Sequence, residues 1–223
     1  METRRLILVF VRYPDPGRVK TRLAAAVGET NAADLYRAFV EDLVGRCRSL
    51  SCPMAVMVAE AADVERTRVW LTETLGRKPV CLSQQGCDLG ERMAAALEGA
   101  FGQGFDQAIL VGSDIPDLPI EILKKGFDAL GSNDAVIGPC RDGGYYLIGF
   151  RSIGFRREVF RGVHWSTDTV FSETCRLMEE NHLDFGILPP WDDVDTFEDL
   201  KRLYLRVKTV SYTHLTLPTI YSV

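Results

Sequence analysis

Short runs of apolar, largely β-branched residues recur along the chain: Leu6 to Val11, Met54 to Ala59, Pro79 to Leu82, Ala108 to Gly112, Ala135 to Gly138 and Tyr146 to Phe150. Runs of this length without polar alternation predict strands buried on both faces. Between most of them apolar residues repeat with helical spacing, over Ala32 to Arg48, Val64 to Leu75, Gly90 to Phe101 and Glu121 to Leu130. Strand alternating with helix predicts a mostly parallel sheet covered by helices on both sides. The rhythm changes after Pro139, where Asp142-Gly143-Gly144-Tyr145-Tyr146 enters the next apolar run with no helix between. One antiparallel strand, and so a mixed sheet, is expected there. Two further helices follow from their acidic first turns: one opened by Asp168 and running to about Asn181, one opened by Thr196 with Glu198 and Asp199 and ending near Arg206.

The 223 residues contain no repeat, low-complexity tract or Gly/Pro/Ser-rich divider, so residues 1–208 read as a single domain. Residues 209–223 hold no Asp, Glu, Lys or Arg, in contrast to the charged helix before them. They read as a non-native or disordered tail, closer to a translated cloning adaptor than to a native extension, and His214 within them carries no functional weight. Against 31 acidic residues stand 26 Lys and Arg, a net charge of −5. That balance offers no cationic surplus for nucleic-acid binding. The six cysteines, at 47, 52, 81, 87, 140 and 175, form no Cys-x-x-Cys pair. They are expected to be reduced thiols and not zinc ligands. The run from Leu6 to Val11 is too short for a membrane span of about 20 residues and no signal-type cleavage site follows it, so a soluble, cytoplasmic protein without a membrane span is expected.

Five segments carry candidate chemistry. After the first strand, Arg12-Tyr13-Pro14-Asp15-Pro16-Gly17-Arg18-Val19-Lys20-Thr21-Arg22-Leu23 forms a stiff turn that sets Arg12, Arg18, Lys20 and Arg22 around a helix N-terminus. Fixed cations and free N–H groups together favour phosphate, although a solvated basic turn would have the same composition. Neither Gly-x-x-x-x-Gly-Lys-Ser/Thr nor a Gly-x-Gly-x-x-Gly after a strand is present, which argues against a P-loop NTPase or a Rossmann dehydrogenase. Ser113 and Asp114 end the strand from Ala108 to Gly112, where open α/β sheets bind ligands, and a carboxylate there suits Mg2+ or Mn2+. The alternative for Asp114 is capping the turn before Pro116 and Pro119.

Asp142, Gly143 and Gly144 with Tyr145 could let backbone approach a sugar or base, or form an ordinary Asp-Gly hairpin turn. Trp165, Ser166 and Thr167 form a polar-aromatic segment beside His164, which reads as a packed or capping residue. Finally, Asp192, Asp193 and Asp195 precede the last helix. Asp193 or Asp195 could complete a metal site with Asp114, and Asp195 or Thr196 could equally cap that helix.

In this order, these segments, together with Asp88-Leu89-Gly90-Glu91-Arg92-Met93 and Gly138-Pro139, resemble the DUF2064 family, also called glycosyltransferase-like or selenodomain-associated transferases. That family is placed in the nucleotide-diphospho-sugar transferase (GT-A-like) superfamily, and the match runs from Leu6 to about Arg206. The resemblance implies a three-layer α/β/α sandwich whose first loop embraces a nucleotide. It adds Gly17, Thr21, Gly90, Arg92 and Ser113 to the nucleotide and phosphate contacts, and Gly143, Gly144, Tyr145, Trp165, Ser166 and Thr167 to the substrate contacts. Asp114 takes the metal role of the superfamily's Asp-x-Asp, with Gly112 where its first Asp would stand, so Asp193 or Asp195 must supply the second ligand.

The implied activity is metal-dependent glycosyl transfer from a nucleotide-diphospho-sugar to a small-molecule acceptor, with Asp114 and Asp142 as catalytic candidates. Asp142 would position or deprotonate the acceptor hydroxyl. Nucleotidyl transfer from a nucleoside triphosphate to a phosphorylated acceptor fits the same parts. A non-catalytic nucleotide or sugar-phosphate binder is the reading of a different class.

Overall fold

The computed structural model describes residues 3–209. In chain order its elements are β1 (Arg5–Val11), α1 (Thr21–Val27), α2 (Glu29–Cys47), β2 (Met54–Val58), α3 (Val64–Leu75), β3 (Val80–Ser83), α4 (Leu89–Gly102) and β4 (Gln107–Gly112). There follow α5 (Ile120–Ala129), β5 (Ala135–Pro139), β6 (Tyr145–Arg151), α6 (Val170–Glu180), β7 (Phe185–Ile187) and α7 (Phe197–Thr209). Short 3-10 turns at Ala61–Asp63 and Arg157–Phe160 complete the chain.

The seven strands form one sheet in the order β3-β2-β1-β4-β6-β5-β7. Every pairing is parallel except those made by β6, which runs antiparallel to both β4 and β5. This is the strand expected after the Asp142-Gly143-Gly144 turn. The fold is therefore the α/β sandwich with a mixed, mostly parallel sheet.

Period-two geometry explains why the apolar runs need no polar alternation. In β1, Ile7, Val9 and Val11 point into one core with α2, α3 and α5, while Leu6, Leu8 and Phe10 point into a second core with α4 and α6. Both faces are buried, and each fully buried aliphatic side chain contributes about 1.5–3 kcal/mol. A third cluster lies outside α2. Leu23 of α1 and Leu200 and Leu203 of α7 pack there on Leu35 and Phe39, with Val194 between. This cluster carries functional weight, because it brings the start of α1 beside the segment that precedes α7.

Several boundaries differ from expectation. Helix α2 begins at Glu29, ahead of Ala32, and α6 begins at Val170 instead of Asp168. Helix α1, of seven residues, starts at the helix N-terminus expected around Arg18, Lys20 and Arg22, whereas the sequence pattern does not predict β7, whose three residues are too few to show a period. All six cysteines are free, as expected. Among the described residues no helix is long and apolar enough to cross a membrane. The proposed tail, His214 included, lies outside the described residues except for Thr209, the last residue of α7.

Candidate functional site

The sheet reverses its winding between β1 and β4: β2 and β3 lie to one side of β1, and β4 opens the other side. Such a switch point leaves a crevice at the carboxyl ends of the two strands. A cleft of about 740 Å3 occupies that place, walled by Arg12, Lys20 and Arg22 after β1 and by Ser113 and Asp114 after β4.

Lys20 lies at the centre of the polar wall. It is the N-cap of α1 and adopts the left-handed conformation, φ 48° and ψ 44°. Its Nζ lies 2.5 Å from Asp114 Oδ1 and 2.6 Å from Asp195 Oδ1, and its side chain is only 3% exposed. Burial alone would weaken its charge, but the Asp114 and Asp195 carboxylates outweigh that and hold its pKa above the ordinary lysine value.

Two backbone devices bring Asp195 to this lysine, 175 positions away. The Val194 N–H donates to the Asp114 carbonyl at 2.9 Å, which ties the two acidic segments together. Thr196 and Asp199 form a reciprocal cap at the start of α7: the Thr196 N–H donates to Asp199 Oδ2 at 2.7 Å and the Asp199 N–H donates to Thr196 Oγ1 at 3.3 Å. The cap thus belongs to Thr196, and the Asp195 side chain is left to face Lys20. Beneath Asp114, the buried Ser113 hydroxyl shares a 2.7 Å hydrogen bond with Tyr36, which also accepts from the Arg12 N–H at 3.0 Å. Burial, then the Asp114 charge, push the Tyr36 phenol up to about 12.

Asp193 stands on the acidic side of this arrangement. Burial and the charge of Asp195, Asp142 and Asp114 push it up to about 7, with Lys20 opposing. Cys140 Sγ and carboxylate oxygens of Asp142 and Asp193 all lie within 4.8 Å of one another. Burial, then the charge of Asp193, push the thiol far up.

The remaining expected residues divide into two groups. Arg12, Arg18, Thr21, Arg22, Arg92 and Tyr145 line the cleft with the residues above. Arg18 is partly neutralised, with Asp15 at 3.6 Å and Asp63 at 3.8 Å. Tyr145 lines the cleft while its hydroxyl donates to Met93 Sδ at 3.7 Å.

Gly17, Gly90, Asp142, Gly143, Gly144, Trp165, Ser166, Thr167 and Asp193 are not among the residues lining the cleft. Gly90 is buried under Trp165, whose ring would lie 2.7 Å from a Cβ there. Gly90 and Trp165 thus pack directly on each other at the start of α4. Asp88 caps α4 by accepting from the Glu91 N–H at 2.8 Å, and Glu91 accepts from the Cys87 N–H at 2.8 Å. The Asp88-to-Met93 motif is therefore a capping box in this geometry. Asp142 accepts from the Gly144 N–H at 2.9 Å, the local bond of an Asp-Gly hairpin turn. Thr167 donates to the His164 carbonyl at 2.7 Å, and His164 and Thr169 both bond Glu173, so this loop is stitched to α6. His164 is a loop-stapling residue, as expected of a capping role.

The cleft also takes in Ala59, Gln84 and Cys87, none of which the sequence singled out. They follow β2 and β3, and the rule that placed Asp114 at the carboxyl end of a strand would have found them.

The family model of DUF2064, described as an uncharacterized protein conserved in bacteria, matches residues 44–167. No curated protein matches the chain. A crystal structure from Desulfovibrio desulfuricans G20, named "putative nucleotide-diphospho-sugar transferase", is 42% identical over 96% of this chain and 91% of that one, with a TM-score of 0.89. The 4-diphosphocytidyl-2C-methyl-D-erythritol synthase of Anaerococcus prevotii is 13% identical over 92% and 99%, with a TM-score of 0.59. Rv0371c of Mycobacterium tuberculosis H37Rv, solved as a manganese complex, is 18% identical over 91% and 98%, with a TM-score of 0.53. At these low identities the last two share the fold alone.

Proposed function

The chain belongs to the DUF2064 family, and on that footing we propose that it is a divalent-cation-dependent transferase moving a sugar from a nucleotide-diphospho-sugar to a small-molecule acceptor. The observation that carries this reading is the Asp114–Lys20–Asp195 constellation in the cleft at the sheet's switch point. The name of the 42% identical relative supports sugar transfer as the reaction.

The donor set fits a hard divalent ion. Asp114 and Asp195 present carboxylates that are 43% and 38% exposed, and Asp193, raised first by burial and then by its acidic neighbours, is a third carboxyl group nearby. Asp114 and Asp195 would hold Mg2+ or Mn2+, with Asp193 beside them. The ion would supply charge neutralisation for the leaving nucleoside diphosphate.

This chain's own residues do the rest. Lys20 and the rim cations Arg12 and Arg22 meet the diphosphate and spread its charge. The cleft beyond them, toward Gln84 and Cys87, accommodates the nucleoside. Asp142 would position an acceptor hydroxyl only after leaving its bond to the Gly144 N–H. We include residues 1–208 as one transferase domain in this reading.

Nucleotidyl transfer is the second reading, favoured by the fold shared with the 4-diphosphocytidyl-2C-methyl-D-erythritol synthase. The leaving group separates the two: nucleoside diphosphate for sugar transfer, pyrophosphate for nucleotidyl transfer. The test is incubation with nucleotide-sugars or nucleoside triphosphates, Mn2+ and a panel of small hydroxyl and phosphate acceptors. Release of neither product while nucleotide still binds would leave the non-catalytic binder as the reading.

A further inference from the structure

Lys20 is placed unusually for a residue whose only duty is to meet a ligand. Its ammonium is buried, 3% exposed, while the two carboxylates it touches remain open to solvent. The 2.5 and 2.6 Å contacts divide one positive charge between two negative ones. Its backbone is held in the left-handed region, which a non-glycine residue retains only where the surroundings fix it. The Tyr36 ring, 5.9 Å from Nζ, and the Tyr36–Ser113 bond close the pocket on the protein side. A divalent ion at Asp114 and Asp195 and an ammonium between them compete for the same negative charge.

We propose that Lys20 is the site's resident cation. In the nucleotide-free protein it neutralises Asp114 and Asp195 and depresses their affinity for a bare divalent ion. When nucleotide and ion enter together, the four-carbon stem carries the ammonium from the carboxylates to the donor's phosphates, and the ion takes its place. The consequence is coupling: ion and nucleotide bind far better as a pair than either alone, beyond their own chelation in solution. This inference rests on the metal-dependent transferase reading and adds to it how the site is loaded.

The test measures Mn2+ binding by electron paramagnetic resonance in the unaltered chain and in Lys20→Met, without nucleotide and then with a nucleoside diphosphate. Lys20→Met is expected to bind Mn2+ at least about tenfold more tightly than the unaltered chain when nucleotide is absent, since one opposing charge has gone. The same variant should bind the diphosphate more weakly. Its cooperative melting confirms the fold, and Mn2+ should raise its midpoint more than that of the unaltered chain.

Equal or weaker Mn2+ binding by Lys20→Met overturns the proposal, as does absence of Mn2+ binding from both proteins. A measurement that needs no substitution follows the Lys20 Nζ resonance in the unaltered chain. Mg2+ with nucleotide should move it and Mg2+ alone should not; an unmoved resonance on adding both overturns the proposal. Product release by the unaltered chain reports on the transferase reading separately. Turnover without tighter ion binding in Lys20→Met sinks this inference and leaves that reading standing.

Discussion

Gly143→Ala tests whether the Asp142-Gly143-Gly144 turn serves architecture more than ligand contact. Gly143 has φ +89°, and a Cβ there would collide with the Asp168 carbonyl oxygen and come within 2.5 Å of the Asp168 Cα and carbonyl carbon. Its own carbonyl accepts from the Phe171 N–H at 2.8 Å, a bond that ties the β5–β6 turn to the first turn of α6. A side chain in the left-handed region costs about 1–2 kcal/mol. Relieving the collision requires the Asp168 segment to move, which at about 1–3 kcal/mol is similar to overpacking a core. The bond to Phe171 adds about 1 kcal/mol if it is lost. Together these predict a destabilisation of about 3 kcal/mol or more. For a chain of this size that lowers the thermal midpoint by about 6–12 °C. The assay is a calorimetric or circular-dichroism melt, paired with nucleotide titration. The expected result is the large loss of stability with nucleotide affinity changed by less than about threefold at a temperature where the variant is folded. A variant melting within about 1 °C of the unaltered chain would refute the steric reasoning, and unaltered stability with lost binding would return Gly143 to the ligand site.

Three further outcomes are expected. Asp199→Ala removes the carboxylate half of the cap, which accepts from the Thr196 and Asp195 N–H groups, and should cost about 1 kcal/mol, or about 2–4 °C in midpoint; it should also weaken Mn2+-dependent nucleotide binding, because Asp195 loses its anchor, and a melt with a nucleotide titration checks the two. Asp193 is raised from 3.8 to about 7 by burial and neighbouring carboxylates, so the folded protein keeps a proton that the unfolded chain gives up near pH 4. Its contribution to stability is therefore full below about pH 4 and lost as the pH rises toward 7. In chelator, Asp193→Asn should gain stability relative to the unaltered chain across that window, and parallel midpoint-versus-pH curves would count against it. Leu23→Ala, at a fully buried position between α1, α2 and α7, should cost about 2–5 kcal/mol and displace Lys20 from Asp195, seen as a lower midpoint together with weaker nucleotide binding.

The sheet was legible because burial on both faces writes itself as uninterrupted apolar runs, and β6 was legible because a two-glycine turn leaves no room for a crossover helix. What stayed hidden were β7, too short to show a period, the end of the short α1, and relations set only by packing. Lys20, Asp114 and Asp195 were each visible as chemistry-bearing residues. That the lysine lies between the two carboxylates depends on the Leu23–Leu200–Leu203 cluster and the Val194–Asp114 backbone bond, which no local pattern encodes. That Gly90 and Trp165 pack directly on each other is likewise a tertiary relation that neither segment shows by itself. Asp142 and Thr167 sit in local hydrogen-bonded turns, the alternative that short polar motifs always carry.

The most direct measurement is calorimetric titration of UDP, GDP, CDP and ADP into the unaltered chain and into Asp114→Asn, each with and without Mn2+. The account predicts that one diphosphate binds the unaltered chain only with Mn2+, and that Asp114→Asn, folded and melting cooperatively, loses that metal-dependent binding. Equal affinity of the two proteins in Mn2+ would contradict the placement of the transferase site at Asp114.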